Sequence, residues 1–336
     1  MGFRLRVLPK LLLERGVMVY FRIRSSWPLW FYVLNRKPRR LLRENPPRLD
    51  AVQARVVREL KETGIAVSHV EEFFPEEKIL LEGLQRYTQT LRGEAAIKTP
   101  KAFLAFLWDP APQLDFRNPF LALALSSRVL DVVNSYLGMF SRFYFFTLNA
   151  TQPVNSGEER RSSQRWHRDP EDKKLLKMFL YLTDVDVGSG PFMYVLRSSY
   201  GLKWGSLFPS RPPRGFYPDE KKLENIISKD EVKVCKGRAG TIIFCDTAGL
   251  HRGGYATGKE RLMFTAGYYS PASPFAPLIR RPENFEKEGR AEKLPFVSRY
   301  ALGQNFNPIS AFVLYKFKEL FRKKNRLQKS GLMDER

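Results

Sequence analysis

Trp166-His167-Arg168-Asp169, followed much later by Thr241-Ile242-Ile243-Phe244-Cys245 and then His251, is the part of this 336-residue sequence from which the rest can be read. On an extended chain, residues two apart point the same way, so the imidazole of His167 and the carboxylate of Asp169 can meet one ion. The chain has only three histidines, His69, His167 and His251, and the third stands just past a run of β-favouring residues. Two imidazoles and one carboxylate on one face of a metal leave three positions open, the requirement of non-haem Fe(II) oxygenases. Two of those positions take a 2-oxo acid and the third takes dioxygen. Arg261, ten residues beyond His251, begins the strand-like run Arg261-Leu262-Met263-Phe264. Its guanidinium can clamp the far carboxylate of 2-oxoglutarate through two parallel hydrogen bonds, a planar fork that lysine lacks. That run is expected to pair, across the Gly253–Gly258 turn region, with the strand before His251. A lone His-x-Asp recurs by chance; the composite with a distal His and then an Arg is the specific signal. His69 closes a short strand and reads as a structural histidine.

Working outward, the chain from Phe143 onward is built of short β-type runs: Phe143–Leu148, Met178–Thr183, Phe192–Leu196, Glu231–Cys235, Thr241–Cys245 and Leu262–Tyr269. Gly, Pro, Asp and Asn turns separate them, as an antiparallel sandwich or barrel requires. Before them, Asp50 is a good N-cap for a helix with apolar positions Val52, Val56, Val57 and Leu60, and Gly64 its C-cap. Ile65 to Val70 reads as a strand. A second helix opens at Pro75, carries Leu80, Leu81, Leu84, Tyr87 and Leu91 on one face, and ends near Gly93. Asn307-Pro308 resembles a further helix start, followed by an apolar stripe of Phe312, Val313, Phe317, Leu320 and Phe321. With Pro38, Pro46 and Pro47 marking a linker, the expected organisation is a basic, aromatic extension over 1–49, a main domain over 50–300 and a basic amphipathic helix over 301–336.

Composition bounds the function classes. Hydrophobic residues at 43% and aromatics at 13% describe a folded globular chain. Two cysteines, Cys235 and Cys245, make no disulfide framework, so a reducing compartment is expected. The net charge of +22 is concentrated at the ends. Residues 1–49 carry 12 Lys/Arg against 2 Glu, and Lys316 to Lys329 carry 7 against 1. Basic stripes attract polyanions. Tyr20, Phe21, Trp27, Trp30, Phe31 and Tyr32 lie among Arg22, Arg24 and Arg36, a mixture that suits an anionic membrane surface. Nucleic acid is a poorer fit, because no recognition module is present. No apolar run is long enough to span a bilayer, and no signal-peptide pattern ends in a small-residue cleavage site. The first 13 residues are basic and acid-free, a composition shared with organelle-targeting leaders. A cytoplasmic protein, with peripheral membrane contact as an option, is the expectation; the oligomeric state is not legible.

The segments Trp166-His167-Arg168-Asp169, Lys177-Met178-Phe179-Leu180-Tyr181-Leu182-Thr183-Asp184-Val185-Asp186, Gly190-Pro191-Phe192, and His251-Arg252-Gly253 through Arg261 resemble the phytanoyl-CoA dioxygenase family. Leu60 to Val67 with Phe73-Phe74-Pro75 is similar to that family's opening helix and strand. The resemblance covers residues 50–275. It implies a mainly β fold with flanking helices around a double-stranded β-helix, the jelly-roll or cupin-like core. It also implies Fe(II) with 2-oxoglutarate and O2 as co-substrates, and succinate and CO2 as products. Matching positions give His167, Asp169 and His251 as metal ligands, Arg261 as the 2-oxoglutarate clamp and Asn149 as a further pocket residue. Two positions depart from the pattern. Arg197-Ser198-Ser199 stands where many members have Gly-Ser-His, and Gly253 replaces a serine whose hydroxyl would face the co-substrate. Because Asp169 is a carboxylate, the resemblance favours hydroxylation over halogenation.

Beside the metal pattern, Trp166, Arg168, Arg197 and Lys177 are the candidate substrate residues, with Arg165, Lys173 and Lys174 nearby. A cluster of cations there would select an anionic group; a solvated charged loop is the plainer reading. The expected substrate is a small or lipid-linked anionic molecule, such as an acyl conjugate or the inner-core sugar of a lipopolysaccharide. The rival class is a non-catalytic jelly roll that binds lipid or polyanion without iron. A desaturating or isomerising oxygenase on the same metal is the third option.

Overall fold

The computed structural model describes residue 12 and residues 15–92, 97–98, 103–210, 217–275, 277–282 and 294–303. Ten strands are present among them: β1 (Ile65–His69), β2 (Ile97–Lys98), β3 (Leu104–Phe106), β4 (Arg142–Thr151), β5 (Leu175–Tyr181), β6 (Phe192–Val195), β7 (Val232–Cys235), β8 (Thr241–Cys245), β9 (His251–Arg252) and β10 (Arg261–Tyr269). They form a seven-stranded sheet, in the order β1-β8-β5-β10-β4-β3-β2, and a three-stranded sheet, β7-β6-β9. Every pairing is antiparallel. An isolated bridge between His167 and His251 adds the His167–Asp169 segment to the free side of β9. From β4 onward the chain therefore passes back and forth between the sheets, and only β6 and β7 follow one another in the same one. This winding is a double-stranded β-helix.

The central strands are buried on both faces, so their sequences are apolar at consecutive positions instead of alternating. Met178 and Leu180 of β5 point outward into a core shared with the helices Ala51–Thr63, Pro119–Ala124 and Ser127–Leu137. Phe179 and Tyr181 of the same strand point inward and join Ile65, Phe192, Tyr194, Ile243 and Met263. Asp50 caps its helix through a reciprocal exchange with Gln53, and Gly64 ends it with a left-handed φ of 87°. His69 caps the next turn by accepting from the Glu71 amide, and its Nε2 lies 2.9 Å from the Ala239 carbonyl oxygen. It is a structural histidine.

Two differences from the sequence reading follow from packing. The strand of Arg261 does not pair with the strand before His251. β5 lies between β8 and β10, because the chain leaves the large sheet at β9 and returns two places away. The helices Pro119–Ala124 and Ser127–Leu137 were not anticipated, although Asn118 and Ser126 cap them through their side chains and Gly138 closes the second with a φ of 72°. The expected Asn307-Pro308 helix lies outside the described residues.

The described part of residues 1–49 packs against the main domain. Trp30 is 1% exposed within the main core, and its indole donates to Asp172 Oδ1 at 2.6 Å. Asn35 donates to the Trp30 carbonyl at 3.0 Å and accepts from the Ala272 amide at 3.2 Å. Asp172 in turn accepts from the Ser270 amide at 2.8 Å, so one carboxylate joins the N-terminal segment to the end of β10. A Trp30→Phe change keeps a ring but removes the donor to this carboxylate. Urea unfolding should show a loss of about 1–3 kcal/mol, and the hydrogen-bond part of that loss should disappear when Trp30→Phe is made in an Asp172→Ala background, which removes the acceptor.

Candidate metal centre and cavity

Two reciprocal backbone hydrogen bonds place the metal-ligand candidates. The His167 amide donates to the His251 carbonyl and the His251 amide to the His167 carbonyl, both at 3.0 Å. Two residues on, the Asp169 amide donates to Thr247 at 2.9 Å. This ladder keeps His167 and Asp169 extended and brings the two imidazoles together, with ring centroids 4.2 Å apart. His167 Nε2 lies 3.9 Å from Asp169 Oδ1, and His251 Nε2 lies 3.6 Å from Asp169 Oδ2. Among the described residues these three form the one His/Asp cluster whose ligand atoms all fall within 4.8 Å of each other.

The outer ring nitrogens fix the tautomers. His167 Nδ1 is 2.8 Å from the Arg165 carbonyl, and His251 Nδ1 is 3.0 Å from the Gly249 carbonyl. A carbonyl can only accept, so each Nδ1 carries the proton and each Nε2 lone pair faces Asp169. Burial and the neighbouring His167 push His251 down to about 3, so it stays neutral at physiological pH. Burial would raise the Asp169 carboxyl, but Lys177 and both histidines outweigh it and hold the group well below the ordinary carboxylate range. Neutral imidazole and ionised carboxylate are the forms a metal needs. Lys177 donates to Asp169 Oδ2 at 2.6 Å from the adjacent strand β5.

The cluster lies in a cavity of about 730 Å³. Strand alternation lines it: Thr147, Asn149 and Thr151 from β4, and Arg261, Met263 and Thr265 from β10. Arg261 is 3% exposed. Its Nη1 donates to the Gly190 carbonyl and its Nη2 to Thr151 Oγ1 at 3.2 Å, while Nε is buried without a partner. Asn149 Oδ1 is likewise buried and unpartnered, its amide nitrogen donating to Thr147 at 3.3 Å. Gly253 lines the same cavity. A buried guanidinium with an unused donor fits a carboxylate.

The other candidates separate. Lys177 lines the cavity; Arg168, Trp166 and Arg197 do not. Arg168 is 4% exposed, and its guanidinium donates to the carbonyls of Phe208, Ser198, Ala248, Trp204 and Leu207 at 2.5–3.0 Å. All its donor directions are used inside the protein, so it acts as a strut beneath the ligand loop. Trp166 packs with Val195, Leu223, Ile227 and Leu250 under the Arg252 guanidinium. Arg197 pairs with Glu231 at 2.9 Å. Lys173 and Lys174 lie over the rings of Tyr200 and Tyr136. Of this basic run only Lys177 reaches the cavity, so the anion funnel weighed as the alternative to a solvated loop is not formed by Arg168 or Arg197.

Two groups of cavity residues escaped the sequence reading. Thr147 and Thr151 flank Asn149 at the period of two that marks one face of a strand, and polar residues at that period within an apolar run were the available signal. Glu171 continues the His167, Asp169 alternation by one more step. It lines the cavity, its Oε2 has no partner, and burial together with the Asp169 charge pushes it up to about 7.

No protein-family model and no curated protein matches the sequence. Solved structures do resemble the fold. EctD from S. alaskensis with bound Fe is 20% identical, with 72% of this chain and 84% of that one covered and a TM-score of 0.49. The epimerase SnoN in complex with Fe3+, alpha ketoglutarate and nogalamycin RO is 15% identical over 68% and 87%, with a TM-score of 0.48. HygX from Streptomyces hygroscopicus with nickel, 2-oxoglutarate and hygromycin B is 16% identical over 66% and 88%, with a TM-score of 0.42.

Arg168 provides a clean test of strut against substrate contact. Arg168→Met keeps much of the volume and strands five carbonyl oxygens. The expected loss of stability in urea unfolding is about 3 kcal/mol or more; a surface arginine waiting for substrate would cost almost nothing.

Proposed function

We propose that this chain is an Fe(II)- and 2-oxoglutarate-dependent dioxygenase that hydroxylates a C–H bond, and that it is a divergent member of the phytanoyl-CoA dioxygenase family. The observation that carries the reading is the convergence of His167, Asp169 and His251 in one cavity with the buried guanidinium of Arg261. Bound iron would supply activation of dioxygen, coupled to conversion of 2-oxoglutarate to succinate and CO2, with the second oxygen atom entering the substrate as a hydroxyl.

The protein's own residues prepare that chemistry. His167 and His251 present Nε2 because their Nδ1 protons are held by backbone carbonyls. Lys177 orients Asp169 and neutralises it through Oδ2, the oxygen that also faces His251. Arg261 and Thr151 would receive the far carboxylate of 2-oxoglutarate, and Asn149 lies beside them with an unused acceptor. The Asp169 carboxylate and the His251 imidazole are already in the forms that bind a metal.

The walls point to the kind of substrate. Phe103, Phe106, Phe145, Phe275, Pro277 and Leu278 give the cavity much of its lining. Its two described cationic residues, Lys177 and Arg261, already have Asp169 and the co-substrate as partners. An apolar portion of the substrate would therefore approach the iron, with any anionic group left outside. This favours an acyl conjugate, or another lipid with an anionic head, over the lipid-linked sugar that the basic ends alone suggest. A sugar would demand more polar partners than these rings give.

Anaerobic addition of Fe(II) and 2-oxoglutarate should produce a weak visible charge-transfer band. His167→Ala, Asp169→Ala and His251→Ala should abolish it. Arg261→Met should keep iron binding and raise the 2-oxoglutarate dissociation constant by about tenfold or more. Absence of the band in the wild-type protein would overturn the proposal.

A further inference from the structure

The helix over residues 15–24 is apolar on two opposite sides, and only one of them is covered. Val17 and Phe21, one turn apart, are 4% and 3% exposed. Val19 and Ile23, also one turn apart, are 54% and 58% exposed, and Leu12, two turns before Val19, is 58% exposed. At 3.6 residues per turn these three lie on one side of a helix. A surface helix ordinarily turns polar residues outward. Isolated exposed aliphatic residues are common, but an aligned row is not. Arg15 and Arg22, both exposed, flank the row, and the π-helical turn Pro28–Leu34 adds exposed Tyr32 and Val33.

The helix is also fixed beside the cavity. The ring of Phe21 lies 6.2 Å from that of Phe275, and Arg24 donates to the Ala272 carbonyl. Phe275, Pro277 and Leu278 line the cavity. Leu278 is 53% exposed, which puts this wall at the mouth.

We propose that Leu12 and residues 15–24 lie flat on an anionic lipid surface, with Leu12, Val19 and Ile23 in the acyl boundary and the arginines at headgroup depth, so that the cavity mouth opens beside the bilayer. Charge selects this occupant. Residues 15–44 carry eight Lys/Arg against one Glu. A second copy would bring the same positive charge to the contact, and the chain's own apolar C-terminal stripe carries 7 Lys/Arg against 1 Glu over residues 316–329. Both are repelled, whereas anionic headgroups are attracted. The inference rests on the oxygenase reading only for what the surface delivers, a lipid-borne substrate; the docking itself is independent of it.

The test is sedimentation of the full-length protein with vesicles of equimolar phosphatidylglycerol and phosphatidylcholine, and with phosphatidylcholine alone. Wild type should sediment with the anionic vesicles, release as salt rises, and bind the neutral ones far less. Val19→Asp/Ile23→Asp should lower the partition coefficient by tenfold or more, at about the cost of leaving two aliphatic side chains in water. Arg15→Gln/Arg22→Gln, which leaves the helix packing untouched, should lower it by about fivefold per residue. Failure of the wild type to bind overturns the proposal, as does unchanged binding of both variants. A dimer in light scattering that Val19→Asp/Ile23→Asp dissociates assigns the face to a second copy and also overturns it. The charge-transfer band, measured without vesicles, should be the same in these variants. Docking without a band would leave the lipid surface standing and remove the enzyme.

Discussion

The pair of backbone hydrogen bonds between His167 and His251 is the constraint on which the rest of the site depends. It closes the small sheet, so the same two contacts that complete the jelly roll also set the distance between the imidazoles. Side-chain direction then follows from strand alternation. Asp169 arrives on the same face as His167, and Glu171 follows one step deeper. The metal-ligand set is a property of the fold's closure, and each ring needs only a neighbouring carbonyl to fix its protonated nitrogen.

The two sheets contribute different chemistry. The small sheet supplies the donor atoms for a metal, while the large sheet supplies what surrounds it: Lys177 from β5, Asn149 and Thr151 from β4, and Arg261 from β10. The register of β4 against β10 sets Arg261 opposite Thr151, which is why a guanidinium and a hydroxyl meet there. Aromatic side chains share the same cavity, and one of them, Phe275, meets Phe21 of the N-terminal helix.

Much of this was legible in the sequence for a specific reason. His-x-Asp, a distal His and Arg261 are each tied to a strand end or strand alternation, and period-two geometry is readable without tertiary information. The helix from Asp50 to Gly64 was equally clear, because capping is local. What could not be read depends on burial. Arg168 sits beside two ligand candidates and looks like a substrate contact, yet its neighbours in space are five carbonyls from two distant loops. Trp166 and Arg197 turn away for similar reasons of packing. The pairing of Arg261's strand was misassigned because nearness along the chain suggested a hairpin, whereas the jelly-roll path inserts β5 between the two strands.

The contact between Lys177 and Asp169 has a consequence for how the protein is made. In many small metal-binding domains the ligands repel one another until the ion arrives, and folding waits for it. Here the carboxylate already has a cation 2.6 Å away, contributed by a strand buried on both faces. The ion pair leaves no uncompensated carboxylate charge at this position, so completing the barrel does not depend on an ion to offset it.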